Sequence, residues 1–363
     1  MTLTNYWWLL IWLFLGGAIL GNMPKRLEKL GNRIVVRWNL WPAFLMVLPY
    51  IIWAGFRGDV ADTRLYRLAF QRASTNLSDI PALFNGNTKD PGFKVVEIII
   101  KILVGDHHEI FFLIIAAFQI LCMMIVFRRY SENYWVCIFL FVASTDFMSW
   151  MMNGMRQFVA ATAIFACFGL TLRKKFLPLI IAILLASTLH QSALLMLPII
   201  FIVQGKAWSI KTVLMLAATM VMVAFIDRFT PILNDMLQNT QYDDALSSTV
   251  DDGTNVMRVL VYSVPALLSL LGLRYVRAAD DPVINMSVNC SIVTMALYLV
   301  SMVTSGIYIG RLPIYTTLHG YVALPWLIDH IFERKSTRLV IYIMVLLYCT
   351  FFYYQMGMKW NYL

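Results

Sequence analysis

The sequence predicts an all-α, polytopic integral membrane protein, and three observations carry that prediction. The chain has 363 residues, of which 60% are hydrophobic and only 13% charged. A soluble protein of this size could not hide so much apolar surface in one core. Apolar runs of roughly 15 to 20 residues recur along almost the whole length, as helices that cross a bilayer require. We expect a single membrane domain over residues 1–363.

Taken in order, about twelve spans are expected, centred on 6–22, 38–56, 109–127, 133–151, 155–172, 176–189, 191–204, 209–226, 257–274, 283–304, 310–328 and 338–355. The first run, Tyr6 to Leu20, has no Lys or Arg before it and no small-residue cleavage site. It reads as a retained span and not as a signal peptide. The sixth and seventh are short and separated only by Leu189-His190-Gln191, so that pair also fits a re-entrant hairpin. Trp7, Trp8, Trp38, Trp41, Trp150, Trp208 and Trp326 fall near expected boundaries, where interfacial anchors sit.

Charge sets the expected orientation. With Lys25, Arg26, Lys29, Arg33 and Arg37 in the cytoplasm, the alternate loops at Arg128-Arg129, Arg173-Lys174-Lys175, Lys206/Lys211, Arg274/Arg277 and Arg334/Lys335/Arg338 become cytoplasmic too. Most acids then fall outside, as the positive-inside rule asks, and both termini face outward. The net charge of +9 therefore reports topology, and nucleic acid is excluded as a partner. The five cysteines all lie within expected spans without a CxxC spacing, so neither a disulfide framework nor a zinc site is expected.

Two outward loops are long, about 57–108 and about 227–257. In the first, Asp62 to Ala73 and Pro91 to Val104 have helix-like apolar spacing, separated by the breaker-rich run Asn85-Gly86-Asn87-Thr88-Lys89-Asp90-Pro91-Gly92. Short helices lying on the outer membrane surface are expected there. The cytoplasmic loops are all short, leaving no domain for a nucleotide.

Polar groups gather at the outer ends of the spans. Arg156 lies in Asn153-Gly154-Met155-Arg156-Gln157, between two stretches apolar enough to cross a bilayer. Its guanidinium stays ionised and is costly to move toward lipid, which implies an anionic partner or a wet cavity. Asp146, Ser149 and Asn153, at i, i+3 and i+7, share one side of the expected fourth helix. His190 tops the sixth–seventh pair, Arg258 opens the ninth helix, and Arg311, Tyr315 and His319 run down one face of the eleventh. Together they describe a site that neutralises phosphate and handles a hydroxyl proton.

Each has a plainer role open to it. Arg156 could snorkel and pair with Asp146, His190 could cap a helix, and His319 could bond a carbonyl. Arg258 could anchor at the interface, and Asp243-Asp244 with Asp251-Asp252 could be a solvated loop. Gly105-Asp106-His107-His108-Glu109 has metal-ligating residue types but lacks the spacing that puts two imidazoles on one helical face. No metal and no cofactor are expected.

Asp62-Thr63-x-x-Tyr66 after a span, Asp90-Pro91-Gly92-Phe93 before an amphipathic segment, Asn153-Gly154-Met155-Arg156-Gln157-x-x-Ala160, and Leu189-His190-Gln191-Ser192-Ala193 occur in that order. The order and topology resemble the EpsG/Wzy-type polysaccharide polymerases of bacterial envelopes, over residues 55–200. The resemblance implies a GT-C-like, metal-independent, inverting glycosyltransferase of the inner membrane with its active site facing the periplasm. Donor and acceptor would both be undecaprenyl-pyrophosphate-linked glycans, extended into O-antigen, enterobacterial common antigen or capsule. Whether a chain-length regulator is a further partner stays open. Arg156, assisted by Arg311 or Arg258, would hold the donor pyrophosphate. His190 would take the acceptor proton, with Asp62 or Asp146 as rival bases. Tyr66, Asp90, Phe93, Asn153, Gln157 and Tyr315 would contact substrate, Tyr66 and Phe93 offering apolar surface to sugar faces. An O-antigen ligase, a flippase or transporter of lipid-linked oligosaccharide, and a membrane acyltransferase are the alternatives.

Overall fold

Backbone polar groups inside lipid must be satisfied within the chain, which leaves helices or closed barrels. This chain uses helices. The computed structural model describes residues 6–30, 33–86, 88–226 and 253–362. Most of the expected second loop, with Asp243, Asp244, Asp251 and Asp252, lies outside the described residues.

By length and composition, three helices among the described residues can cross a membrane: His108–Tyr130, Pro282–Met302 and Arg334–Lys359. Two bent pairs raise the number to five if each pair is one span. Six further apolar helices have 10–17 residues and stand where spans were expected. Contacts divide the chain into two units, Met1–Leu194 with Arg334–Leu363, and Leu195–Glu333.

In the first unit, α1 (Trp7–Leu20) packs on α2 (Leu40–Gly55). Trp12 Nε1 donates to the Met46 carbonyl at 2.9 Å and Tyr50 Oη to that of Leu9 at 2.8 Å. Between these helices the basic segment, expected on the cytoplasmic side of an all-α fold, pairs as an antiparallel ribbon of β1 (Lys25–Leu30) and β2 (Arg33–Trp38), with Leu27 opposite Val36. The alternating Arg-Ile-Val-Val-Arg-Trp run favours a strand, and Gly31-Asn32 between the strands is a residue pair that short hairpin loops favour. Arg37 forms an ion pair with Glu28 across the ribbon.

The first long loop contains α3 (Thr63–Gln71) and α4 (Pro91–Val104), followed by the 23-residue α5 (His108–Tyr130). After α6 (Tyr134–Ala143) the expected straight fourth helix breaks. Thr145 takes φ +69, and a π-helix over Phe147–Asn153 leaves at 72° to α6. The expected i, i+3, i+7 alignment of Asp146, Ser149 and Asn153 therefore does not arise, since it needs one uninterrupted α-helix. Then come α7 (Met155–Ala166), α8 (Phe168–Leu172) and α9 (Phe176–Leu189).

Helices α3, α4, α5 and α7 share a core. Phe70 stacks on Phe111 with ring centroids 4.4 Å apart, and Phe93, Ile100, Met155 and Val159 close around them. Each wholly buried phenylalanine contributes about 2 kcal/mol relative to exposure, which fixes the floor on which the polar groups stand.

The second unit contains α10 (Met196–Ile202), α11 (Ile210–Ala224), α12 (Val256–Leu271), α13 (Leu273–Ala279), α14 (Pro282–Met302) and α15 (Ile314–Ile331). Trp208, Ala266, Val288, Ile292 and Trp326 are central to its core. Asn289 Nδ2 donates to the Val203 carbonyl at 3.1 Å, and the Thr294 and Thr316 hydroxyls meet at 2.7 Å. The last helix, α16 (Arg334–Tyr353), returns to the first unit.

Candidate functional site

Four segments meet around Arg156. The π-helix ends at Gly154, α7 begins at Met155, and Arg156 falls in its first turn. Helix α4 begins at Pro91, whose fixed φ suits a first helical position. Asp90 just before it adopts a left-handed conformation with φ +54, which costs an L residue about 1–2 kcal/mol. Gly92 answers a different need. A Cβ there would stand 2.1 Å from Thr188 Oγ1, so α4 reaches the end of α9 only because residue 92 has no side chain. That approach brings Asp90 to Gln191, whose backbone N–H donates to Asp90 Oδ1 at 3.3 Å.

Asp90 Oδ2 then lies 2.9 Å from Arg156 Nη1. The contact is an ion pair without hydrogen-bond alignment, because Oδ2 has no partner in hydrogen-bond geometry. The Asp90 side chain is 1% exposed and that of Arg156 is 29%. The carboxylate thus backs the guanidinium, which keeps part of its surface in the open. Burial raises the Asp90 carboxyl above its ordinary value, and the Arg156 charge offsets part of that rise.

Arg156 Cζ also stands 6.0 Å from the centre of the Tyr66 ring. Burial raises the Tyr66 phenol, with Arg156 again opposing. The open side is a cleft of ≈ 180 Å³ formed by Asp62, Leu65, Tyr66 and Ala69 on one face of α3, Lys94 and Glu97 on α4, and Arg156. Lys94 Nζ donates to Glu97 Oε2 at 2.6 Å, and Glu97 is 1% exposed. Burial raises the Glu97 carboxyl, the Lys94 bond partly offsetting it. Each cation of the cleft is therefore held by a carboxylate. An incoming anion would meet side chains already fixed in place, which favours preorganisation over raw positive potential.

His190 is half-buried and is not among the residues lining the cleft. Its Nδ1 lies 2.7 Å from Ser192 Oγ, which accepts from Gln157 Nε2 at 3.1 Å. The turn His190-Gln191-Ser192 is consequently tied twice to the Arg156 segment: through Asp90 to Arg156, and through Ser192 to Gln157. Gln157 has 3% exposure, so its role here is to hold that turn.

Other expected residues fall elsewhere. Phe93, expected to offer its face to sugars, is wholly buried and meets Tyr66 at a ring distance of 6.5 Å, edge to face. Its apolar ring belongs to the core that supports Tyr66. Asp146 is also fully buried and accepts from Trp150 Nε1 at 2.9 Å. The break in the fourth helix turns it into that packing. Asn153 is half-buried at the end of the π-helix.

In the second unit, Arg258 is in the first turn of α12 with its Cζ 5.6 Å from the Tyr262 ring centre. Arg311 ends a short 3₁₀ turn, Ile309–Arg311, that leads into α15. Thr254 N–H donates to the Ser301 carbonyl, and a Cβ at Gly310 would come 2.6 Å from Thr254 Oγ1. The start of α12 and the 3₁₀ turn therefore share one end of that unit. Tyr315 and His319 are buried in α15.

Leu65, Ala69, Lys94 and Glu97 were not singled out from the sequence. The signal was present: 62, 65, 66 and 69 share one helical face, and Lys94 and Glu97 stand at i, i+3. Among the described residues no group of three or more His, Cys, Asp or Glu is placed to hold a metal ion.

The sequence model described as the EpsG family matches residues 40–359, nearly the whole chain. No curated protein and no solved structure matches it. The chain belongs to the EpsG family.

Proposed function

We propose that this EpsG-family chain is a membrane glycosyltransferase that polymerises undecaprenyl-pyrophosphate-linked repeat units into surface polysaccharide at the periplasmic face of the inner membrane. The observation that carries the reading is the Arg156–Asp90 pair, fixed over Tyr66 beside the His190-Gln191-Ser192 turn. The guanidinium would bind the donor pyrophosphate, with Lys94 as a second cation. The acceptor hydroxyl oxygen would attack the anomeric carbon and the bond from that carbon to the pyrophosphate oxygen would break. The pyrophosphate would leave with the bonding electrons, as an anion stable without an added proton. The hydroxyl proton would pass to a base, His190 in this proposal, with Asp62 at the start of α3 as the rival. A single displacement inverts the anomeric centre. Tyr66 would offer its ring to a sugar face. Arg258 and Arg311 are assigned to the lipid-linked substrates in the same proposal, whereas Tyr315, 2% exposed, packs inside its unit; the twelve-span, GT-C-like topology belongs to the proposal as well.

The test is the glycan profile of a strain lacking this chain. A single repeat unit on the lipid anchor supports a polymerase. Long polymer left unattached would make it a ligase, and loss of all surface units would make it a flippase. Complementation with His190→Ala should leave single units on the anchor; normal chain growth would remove the base assignment.

A further inference from the structure

Helix α3 has a second polar face. Asp62, Leu65, Tyr66 and Ala69 look into the Arg156 cleft, whereas Thr63 and Arg67 look into a larger cavity of ≈ 430 Å³. That cavity is closed by Gly55 at the end of α2, the following residues to Asp59, His107 and the first turns of α5. Its deepest charge is Arg57, only 8% exposed. Arg57 Nη1 donates to the Met151 carbonyl at 2.8 Å, Nη2 reaches Met155 Sδ at 3.4 Å, and Cζ lies 4.1 Å from the Phe112 ring centre. Its Nε is buried with no hydrogen-bond partner. No carboxylate forms an ion pair with this buried cation among the described residues, and burial pulls its pKa down to about 10. A guanidinium held in that state gains from an anion that enters beside it.

The rest of the lining suits an anion as well. Arg67 is gripped by Asp59, with contacts of 3.0 Å from each terminal nitrogen. His107 and His108 stand at the start of the 23-residue α5, where the first N–H groups and the helix dipole favour negative charge. Glu109, the remaining acid, lies 3.3 Å from His108 Nε2. Arg57 and Arg67 are thus the strong cations of this cavity, as Arg156 and Lys94 are of the cleft across α3. Tyr66 lines the cleft beside Arg156, and the helix that carries it walls the cavity through Thr63 and Arg67.

We infer that the cavity of Arg57, Arg67 and His108 is a second pyrophosphate site, and that it takes the headgroup of the acceptor lipid while the Arg156 cleft takes that of the donor. A reaction between two lipid pyrophosphates needs two such sites close together, and one helix wall separates these. The assignment of acceptor and donor rests on the polymerase reading; the second anion site does not.

Calorimetry on the purified full chain with a short isoprenyl pyrophosphate as probe tests it. Wild type should bind two equivalents. Arg67→Gln, on a half-buried position chosen because Arg57 variants risk misfolding, should weaken one of them by about tenfold or more and leave the other as its own control of folding. Arg156→Gln should do the converse. If wild type binds one equivalent, lost only in Arg156→Gln, the second site is refuted and the proposed function stands. If the one equivalent is lost only in Arg67→Gln, the second site stands and the role of Arg156 falls. If inorganic pyrophosphate fills the Arg67-dependent site and the isoprenyl probe does not, the site serves a soluble anion and the acceptor assignment is refuted.

Discussion

The surroundings of Arg156 and the core of the second unit are tied together with different chemistry. Around Arg156 charged groups join segments far apart in the chain, Asp90 to Arg156, Asp90 to the Gln191 amide and Arg57 to the Met151 carbonyl, beside the neutral tie from Gln157 to Ser192. In the second unit the buried ties include neutral pairs, Thr294 to Thr316, Ser301 to Thr254, Trp208 to Ser269 and Asn289 to Val203, while the charged tie from Arg277 to the Trp208 carbonyl is only partly buried. One ion pair there, Lys206 to Asp280 at 3.6 Å, is exposed. Buried charge is a poor way to gain stability, because desolvation cancels much of the attraction, whereas neutral hydrogen bonds between helices carry a smaller desolvation cost. On the proposed function, the charged cluster is the part of the fold shaped by a ligand.

Asp90→Asn should sharpen the contrast most. Asn tolerates the left-handed backbone at this position, so the fold should survive while the partner charge of Arg156 is lost. Polymer yield is expected to fall by about a hundredfold, measured on lipid-linked substrate with equal protein. Stability should move the other way. The folded-state pKa of Asp90 is raised, so its contribution is fully present below the unfolded value and is lost as pH rises through the folded value. At neutral pH the ionised carboxylate is a burden, and the variant should unfold at an equal or higher temperature than wild type. That margin should shrink as pH falls from about 8 to about 4. A variant that is inactive and also markedly less stable would place Asp90 with the structural groups.

Gly92→Ala comes next. Its methyl meets Thr188, and the forced separation of α4 from α9 should cost about 1–3 kcal/mol and loosen the Asp90–Gln191 bond. Both activity and thermal stability should drop. Thr294→Val, in the second unit, should lower stability by about 0.5–1 kcal/mol and leave activity per folded protein unchanged; loss of activity at intact stability would break the comparison. Lys206→Ala should change stability by less than about 0.5 kcal/mol and leave polymer alone.

Much of the charged cluster was legible in the sequence, though its wiring was not. Arg156 stood out because a guanidinium between two apolar runs demands a reason, and the positions of α3 and α4 followed from apolar spacing on either side of the breaker-rich run. The protein partner was not legible: the sequence offered Asp146 only as the acid of a plainer pairing, while the ion pair goes to Asp90, 66 residues away. What selects Asp90 is a left-handed residue and a glycine that lets two helices touch, and both act only once the chain is packed. The break after α6 was hidden for a similar reason. No Pro or Gly interrupts Ala143-Ser144-Thr145-Asp146, so local sequence gave no stop signal. The ribbon over Lys25–Trp38 was masked by its charge, which drew attention to topology and away from the alternation in β2. Arg57 escaped notice as a span-end residue, since only the fold shows that it turns inward.

The central claim is that the Arg156 guanidinium grips a pyrophosphate through its fork of donors and not merely through its charge. Arg156→Lys keeps the charge and removes the fork. Polymer length and yield should be measured in a strain whose variant protein matches wild-type levels. The account predicts that chain growth falls to single repeat units; polymer of normal length and yield would contradict it.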